Sequence, residues 1–161
     1  MVILSWVDVT GMVELLARTL QRSPFDMVIG VSRSGLIPAV MLSHVLNVRE
    51  FGALDIRRTE SDAVRATKRP PLVVGHGMNV DALQSRRVLL VDDIVGEGAT
   101  LKVADHFLKE RGAIVVSAAL VVNRANCLEE PETIVDRFAC TVHDWVVFPW
   151  EGKHVDIGAE D

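Results

Sequence analysis

The stretch Val88-Leu-Leu-Val91, running into Asp92-Asp93-Ile94-Val95-Gly96-Glu97-Gly98-Ala99-Thr100-Leu101, constrains this chain more than any other. Four apolar residues in a row, with charge on either side, read as a strand buried on both faces. A half-solvated strand would alternate instead. Such a strand needs helices above and below it, and the sequence supplies them. Val9, Met12, Val13, Leu16 and Leu20 share one helical face, ended by Ser23-Pro24. Residues 36–46, with Pro38 in the first turn, and residues 99–111, stopping at Gly112, predict two further helices. Residues 26–31, 51–56, 72–74 and 114–122 read as strands, and short strands follow near 138–142 and 145–147. Residues 57–70 are charged or small and are expected to form a flexible loop. The predicted fold class is α/β: one domain over residues 1–161, with a mostly parallel β-sheet flanked by helices.

The segment after Val91 carries the chemistry. Open parallel sheets bind ligands beyond the carboxyl ends of their strands, where residues 92–100 fall. Backbone N–H groups of Gly96, Glu97, Gly98, Ala99 and Thr100, backed by a helix dipole, form a phosphate cradle. Asp92 and Asp93 repel phosphate and suit ribose hydroxyls or a magnesium ion. Phosphate beside ribose points to a ribose 5-phosphate unit. A dinucleotide-binding GxGxxG starting at Gly96 fails because Leu101 takes the third glycine's place, and a Walker loop fails because Ala99 follows Gly98. A plain helix cap preceded by two strand-end acids is the other reading of the same pattern.

Composition removes several classes. With 161 residues, 49% of them apolar and 24% charged, the chain has enough apolar surface for a core and is not of the disordered type. The longest apolar stretch, residues 113–122, is about half the ~20 residues that a membrane span requires. The opening residues carry no basic segment of the secretory kind, so no export signal is expected. Two cysteines, Cys127 and Cys140, lie outside any metal-ligand spacing and fit a reducing cytoplasm. A net charge of −5 disfavours nucleic acid. That average conceals a division: residues 57–87 hold seven basic and three acidic residues, and residues 129–161 hold nine acidic and two basic. The basic segment suits a small polyanion.

These residues resemble a known family. Val-Leu-Leu-Val-Asp-Asp-Ile followed by x-x-x-Gly-x-Thr is similar to the phosphoribosyl-pyrophosphate (PRPP) signature of type I phosphoribosyltransferases. Ile29-Gly-Val-Ser-Arg-Ser-Gly-Leu-Ile-Pro38 resembles that family's pyrophosphate loop, and residues 57–70 lie where it keeps a closing loop. Trp145-Val-Val-Phe-Pro-Trp-Glu151 resembles the base-binding segment, residues 138–151 here, of xanthine-guanine and archaeal purine enzymes. The resemblance implies a core sheet with a small hood built from the N- and C-terminal segments. It also implies magnesium-dependent transfer of 5-phosphoribose from PRPP to a purine-like base. Asp92 and Asp93 would hold the ribose hydroxyls, while Val95, Gly96, Glu97, Gly98, Ala99 and Thr100 would hold the 5-phosphate. Ser32, Arg33, Ser34 and Gly35 would hold pyrophosphate, with a cis peptide expected at Arg33–Ser34 and Arg33 counted with the two acids as catalytic. Trp145 would stack on the base, and Val146 main chain and Asn123 would read its edge. Asp92, Asp93 and Glu151 would serve Mg2+. The family commonly forms dimers or tetramers, so a homo-oligomer is expected, with no nucleic-acid or membrane partner.

Three positions depart from the purine pattern. Gly96 stands where many of those enzymes carry an Asp, Asn123 where they carry a Lys, and Glu97 places a carboxylate beside the cradle. An amide both donates and accepts, which accommodates a 6-amino group or another ring. Three functions are therefore carried forward: a purine-type transferase, a transferase for a pyrimidine or specialised acceptor, and a nonenzymatic PRPP sensor.

Overall fold

The computed structural model describes residues 1–59, 68–127 and 129–151. In chain order these form β1 (Val2–Ile3), α1 (Trp6–Leu20), β2 (Met27–Ser32), α2 (Leu36–Val45), β3 (Glu50–Thr59) and β4 (Lys68–His76). There follow β5 (Arg87–Val95), α3 (Ala99–Lys109), β6 (Ile114–Asn123), β7 (Arg137–Val142) and β8 (Val146–Val147). Six strands make the main sheet, in the order β4-β3-β2-β5-β6-β7. All its pairs are parallel except the β3–β4 edge hairpin.

Burial on both faces explains the unbroken apolar strands. Leu89 and Val91 face α1 and α2 together with Val9, Val13, Leu16, Leu42 and Val28. Val88 and Leu90 face α3 together with Leu101, Ala104, Leu108, Ile29 and Leu54. The first helix starts where its sequence prescribes: Ser5 Oγ accepts the Asp8 N–H at 3.2 Å, and Asp8 Oδ2 accepts the Ser5 N–H at 2.7 Å. That reciprocal pair closes a capping box.

Two differences from the sequence reading concern the ends of the sheet. The region expected as a loop over residues 57–70 keeps strand pairing at both ends, with Arg57↔Leu72 and Thr59↔Lys68 in register. Its middle, residues 60–67, lies outside the described residues. Main-chain pairing needs no apolar side chain, and Pro70 and Pro71 are tolerated because β4 is an edge strand. The second difference is that residues 2–3 form a strand, β1, which the sequence reading did not give; it pairs in parallel with β8 as a separate two-stranded sheet, Val2↔Val146 and Ile3↔Val147. This sheet is the hood expected from the N- and C-terminal segments. It is anchored by aromatic contacts: Trp6 lies 5.8 Å from Trp150, and Phe148 stacks on Trp150 at 4.5 Å.

Strand β5 lies inside the sheet between β2 and β6, and its Leu90 is 0% exposed. Leu90→Ala is expected to cost about 2–5 kcal/mol. At roughly 2–4 °C per kcal/mol, a thermal melt should fall by about 4–20 °C; an unchanged melt would contradict burial on both faces.

Candidate active site

The order of the strands determines where a ligand can sit. From β2 the chain moves outward to β3 and β4, then returns to the other side of β2 with β5. Between the carboxyl ends of β2 and β5 the connections part in opposite directions, leaving a crevice. Asp92 and Asp93 occupy the β5 side of it, each 8% exposed. On the β2 side is the turn Ser32, Arg33, Ser34, Gly35. Gly35 is pressed so closely against its neighbours that a Cβ there would lie 2.6 Å from the Val31 carbonyl and 2.8 Å from Asp92 Oδ1. The cis peptide of this turn is Ser32–Arg33, one bond earlier than expected, at the last residue of β2. Ser32 Oγ makes a long hydrogen bond, 3.4 Å, to Asp55 on the neighbouring strand, and Asp55 also pairs with Arg57 at 3.2 Å.

The acid pair sits in an electrostatically costly position. Asp92 Oδ1 accepts the Asp93 N–H at 3.0 Å, and Asp93 Oδ1 accepts the Ile94 N–H at 2.9 Å. Burial, reinforced by the adjacent Asp93 charge, pushes the Asp92 carboxyl well above the ordinary carboxylate range. Burial likewise raises Asp93 to about 6; its hydrogen bonds with Asp92 and Ile94 oppose the rise, and the Glu151 charge adds to it. Bound hydroxyls or a cation would relieve both groups.

Beyond the acids, Gly98 turns the chain with φ +76° and begins α3 with no side-chain cap. The first backbone bond of the helix is Lys102 N–H to the Gly98 carbonyl, 2.9 Å. The N–H groups before it are therefore a ready anion site. A side chain at 98 is excluded, because its Cβ would meet Ile134 Cγ2 at 2.2 Å.

One cavity of about 280 Å3 unites these parts. Its floor is Asp92 with Val95, Gly96, Glu97, Gly98, Ala99 and Thr100; its far wall is Asn123, Trp145, Val146 and Glu151. The ring of Trp145 is half-exposed. Hydrogen bonds from the Val2 and Leu4 N–H groups go to the carbonyls of Trp145 and Val147, 2.7 and 2.9 Å, and skip Val146. Parallel pairing thus leaves the Val146 peptide groups on the opposite edge of β8. Asp93 and the turn from Ser32 to Gly35 are not in the lining; they stand behind Asp92, joined to it through Gly35. Sequence reasoning did not count Ile94, Leu101, Asn126 or Phe148 among the site residues, and they complete the walls. Asn126 carried no signal, whereas Phe148 lay inside the aromatic segment.

Among the described residues no three His, Cys, Asp or Glu side chains converge as a metal cage, so Asp92, Asp93 and Glu151 do not form one. Magnesium is usually held by one or two carboxylates, with substrate phosphates and water completing the shell. The two acids, crowded enough to hold raised pKa values, fit that lesser role.

Residues 8–156 match the family model described as the phosphoribosyl transferase domain. The chain belongs to this family. A purine phosphoribosyltransferase from Pyrococcus horikoshii superposes with a TM-score of 0.76 at 31% identity, covering 93% of each chain. The adenine phosphoribosyltransferase of Bordetella parapertussis is 31% identical over 121 residues, 70% of this chain and 60% of its own. The xanthine-guanine phosphoribosyltransferase of Chromohalobacter salexigens is 28% identical over 91% of this chain and 82% of its own. This chain thus spans about three-fifths of the Bordetella relative, while the Pyrococcus structure carries the α/β fold with its mostly parallel sheet nearly end to end.

The acid pair generates a pH dependence. A carboxyl at about 6 when folded and 3.8 when unfolded binds its proton more tightly in the folded state. Its contribution to stability is therefore complete below pH 3.8 and is lost as the pH rises through 6. Asp93→Asn keeps the acceptor for Ile94 and removes the charge. In metal-free buffer its melting temperature should exceed wild type by more at pH 7.5 than at pH 5; equal differences would refute the raised pKa.

Proposed function

We propose that this protein transfers the 5-phosphoribosyl group of PRPP to a ring nitrogen of a purine-like base, releasing pyrophosphate and a nucleoside 5-monophosphate. One observation carries the reading. A single cavity joins an uncapped helix N-terminus, the buried carboxyl of Asp92 with Asp93 next to it in the chain, and a half-exposed tryptophan flanked by main-chain groups off the sheet. Those are the needs of a phosphate, a ribose and a planar base in one line. The names of the relatives, purine, adenine and xanthine-guanine phosphoribosyltransferases, support the same substrate class.

In this reading residues 1–161 are one catalytic domain. The N–H groups of Gly96 to Thr100 hold the 5-phosphate, and Asp92 and Asp93 accept hydrogen bonds from the ribose hydroxyls. Ser32, Arg33, Ser34 and Gly35 hold the pyrophosphate. Trp145 stacks on the base, with Val146 main chain at its edge and Asn123 in the wall beside them. The base nitrogen forms a bond to C1 of the ribose as the C1–oxygen bond breaks, and the pyrophosphate leaves with the electron pair. The nitrogen's proton passes to solvent. Positive charge grows on the ribose ring beside the two acids, which is where negative charge stabilises it. Mg2+, held by Asp92 or Asp93 with Glu151 nearby, would neutralise part of the charge on pyrophosphate. The chain's remaining task is to align donor and acceptor and exclude water.

The test is pyrophosphate release from PRPP and Mg2+ across a panel of purines and pyrimidines. Release with purines is expected. Release with pyrimidines alone would assign a different acceptor, and PRPP binding without any turnover would assign a sensor. Asp93→Asn should lower turnover roughly 10- to 150-fold, the loss of one charge-assisted hydrogen bond of ~1.5–3 kcal/mol. Gly35→Ala should weaken PRPP binding by calorimetry about 10-fold or more, because its Cβ displaces either Asp92 or the turn. Unaltered affinity would detach that turn from the site.

A further inference from the structure

Asn123 closes β6 and is 6% exposed, and both ends of its amide are engaged inside the protein. Nδ2 donates to the Asp144 carbonyl at 3.0 Å, and Oδ1 accepts the Ala125 N–H at 3.0 Å. A carbonyl on one side and an N–H on the other admit only this orientation of the amide. Asp144 then accepts the Trp145 N–H on its own side chain at 2.7 Å. The Trp145 carbonyl is taken by Val2 at 2.7 Å. The main chain entering the cavity wall is thus gripped from β6 through Asn123 and from β1 through Val2. The Trp145 ring itself is half-exposed and lies against the cavity. With little packing on its outer side, its position is set by the backbone that carries it.

We propose that Asn123 is a positioning residue: it latches the Asp144 carbonyl, and so fixes the Trp145 ring and the Val146 peptide groups where a base is received. This deepens the reading above and rests on it for the identity of the ligand. Turning the buried amide outward to read a base would break both of its part-buried hydrogen bonds, to the Asp144 carbonyl and from the Ala125 N–H, so Asn123 acts through the wall. Base affinity then depends on this side chain while PRPP affinity does not.

Asn123→Asp keeps the shape and sets an acceptor oxygen against the Asp144 carbonyl. Asp144→Ala, outside the cavity lining, removes the acceptor for the Trp145 N–H from the other side of the latch. Both should raise KM for the base about 5- to 20-fold, the consequence of one unmade hydrogen bond in the wall. KM for PRPP and kcat at saturating base should stay within about twofold. Independently of activity, the ligand-free protein is labelled with 5-fluorotryptophan and the Trp145 resonance identified by its loss in Trp145→Phe. That resonance should shift or broaden in both latch variants. An unmoved Trp145 resonance, or a parallel rise in both KM values, overturns the latch. So does a changed preference between 6-oxo and 6-amino bases in Asn123→Asp, which would make the amide a direct reader. If wild type turns over no base, the transferase reading fails, and the fluorine signal still decides the latch.

Discussion

The ligand end of this fold depends on the approach of one strand-end turn to another strand's carboxylate. Gly35 sits against Asp92 with no room for a single methyl group. That contact brings the loop after β2 and the loop after β5 to opposite sides of one crevice, at the point where the sheet's connections diverge. Everything else follows from it. The turn lies against Asp92, both acids are buried, their carboxyls resist ionisation because they are buried, and the uncapped start of α3 lies next along the same loop. On one side stand two crowded carboxylates, and on the other the start of a helix that no side chain caps. In the proposed reading a molecule that offers hydroxyls to the first and phosphate to the second completes the arrangement.

Much of this could be read from residue order, for identifiable reasons. Val88 to Val91 had to be buried on both faces because no polar residue interrupts them, and that fixed the layers above and below. Asp92 and Asp93 stood out because charge directly after such a strand can only be at its end. Gly98 lay in the glycine-containing loop just before the helix expected from residue 99; the structure adds the reason, a φ of +76° and no space beside Ile134. The segment from Trp145 to Glu151 stood out through its resemblance to the base-binding segment of the purine enzymes.

Other parts left no such mark. The β3–β4 hairpin extends past the core through Arg57, where pairing is carried by main-chain groups that every residue possesses. Strand β1 is two residues long, too short for any periodicity. The engagement of Asn123 is a tertiary fact: its partners are the carbonyl of Asp144, twenty-one positions away, and a nearby N–H. An isolated Asn at a strand end is equally compatible with reading a ligand. Asp55, taking Ser32 and Arg57 together, was likewise invisible until β2 and β3 were set in register.

The hood has a consequence for how the molecule breathes. Its sheet has only two strands, and a two-stranded ribbon is marginal by itself. It joins residues 2–3 to residues 146–147, so its pairing closes nearly the whole length of the chain. Such an element forms late and opens early, as a cooperative unit of lower free energy than the six-stranded sheet. The cavity is therefore built from two materials. The phosphate and acid side belongs to the most protected part of the fold, and the tryptophan side belongs to the least. Amide exchange should run fast across Val2, Leu4 and β8 while β5 stays closed, and a planar ligand would register first as slowed exchange in the hood.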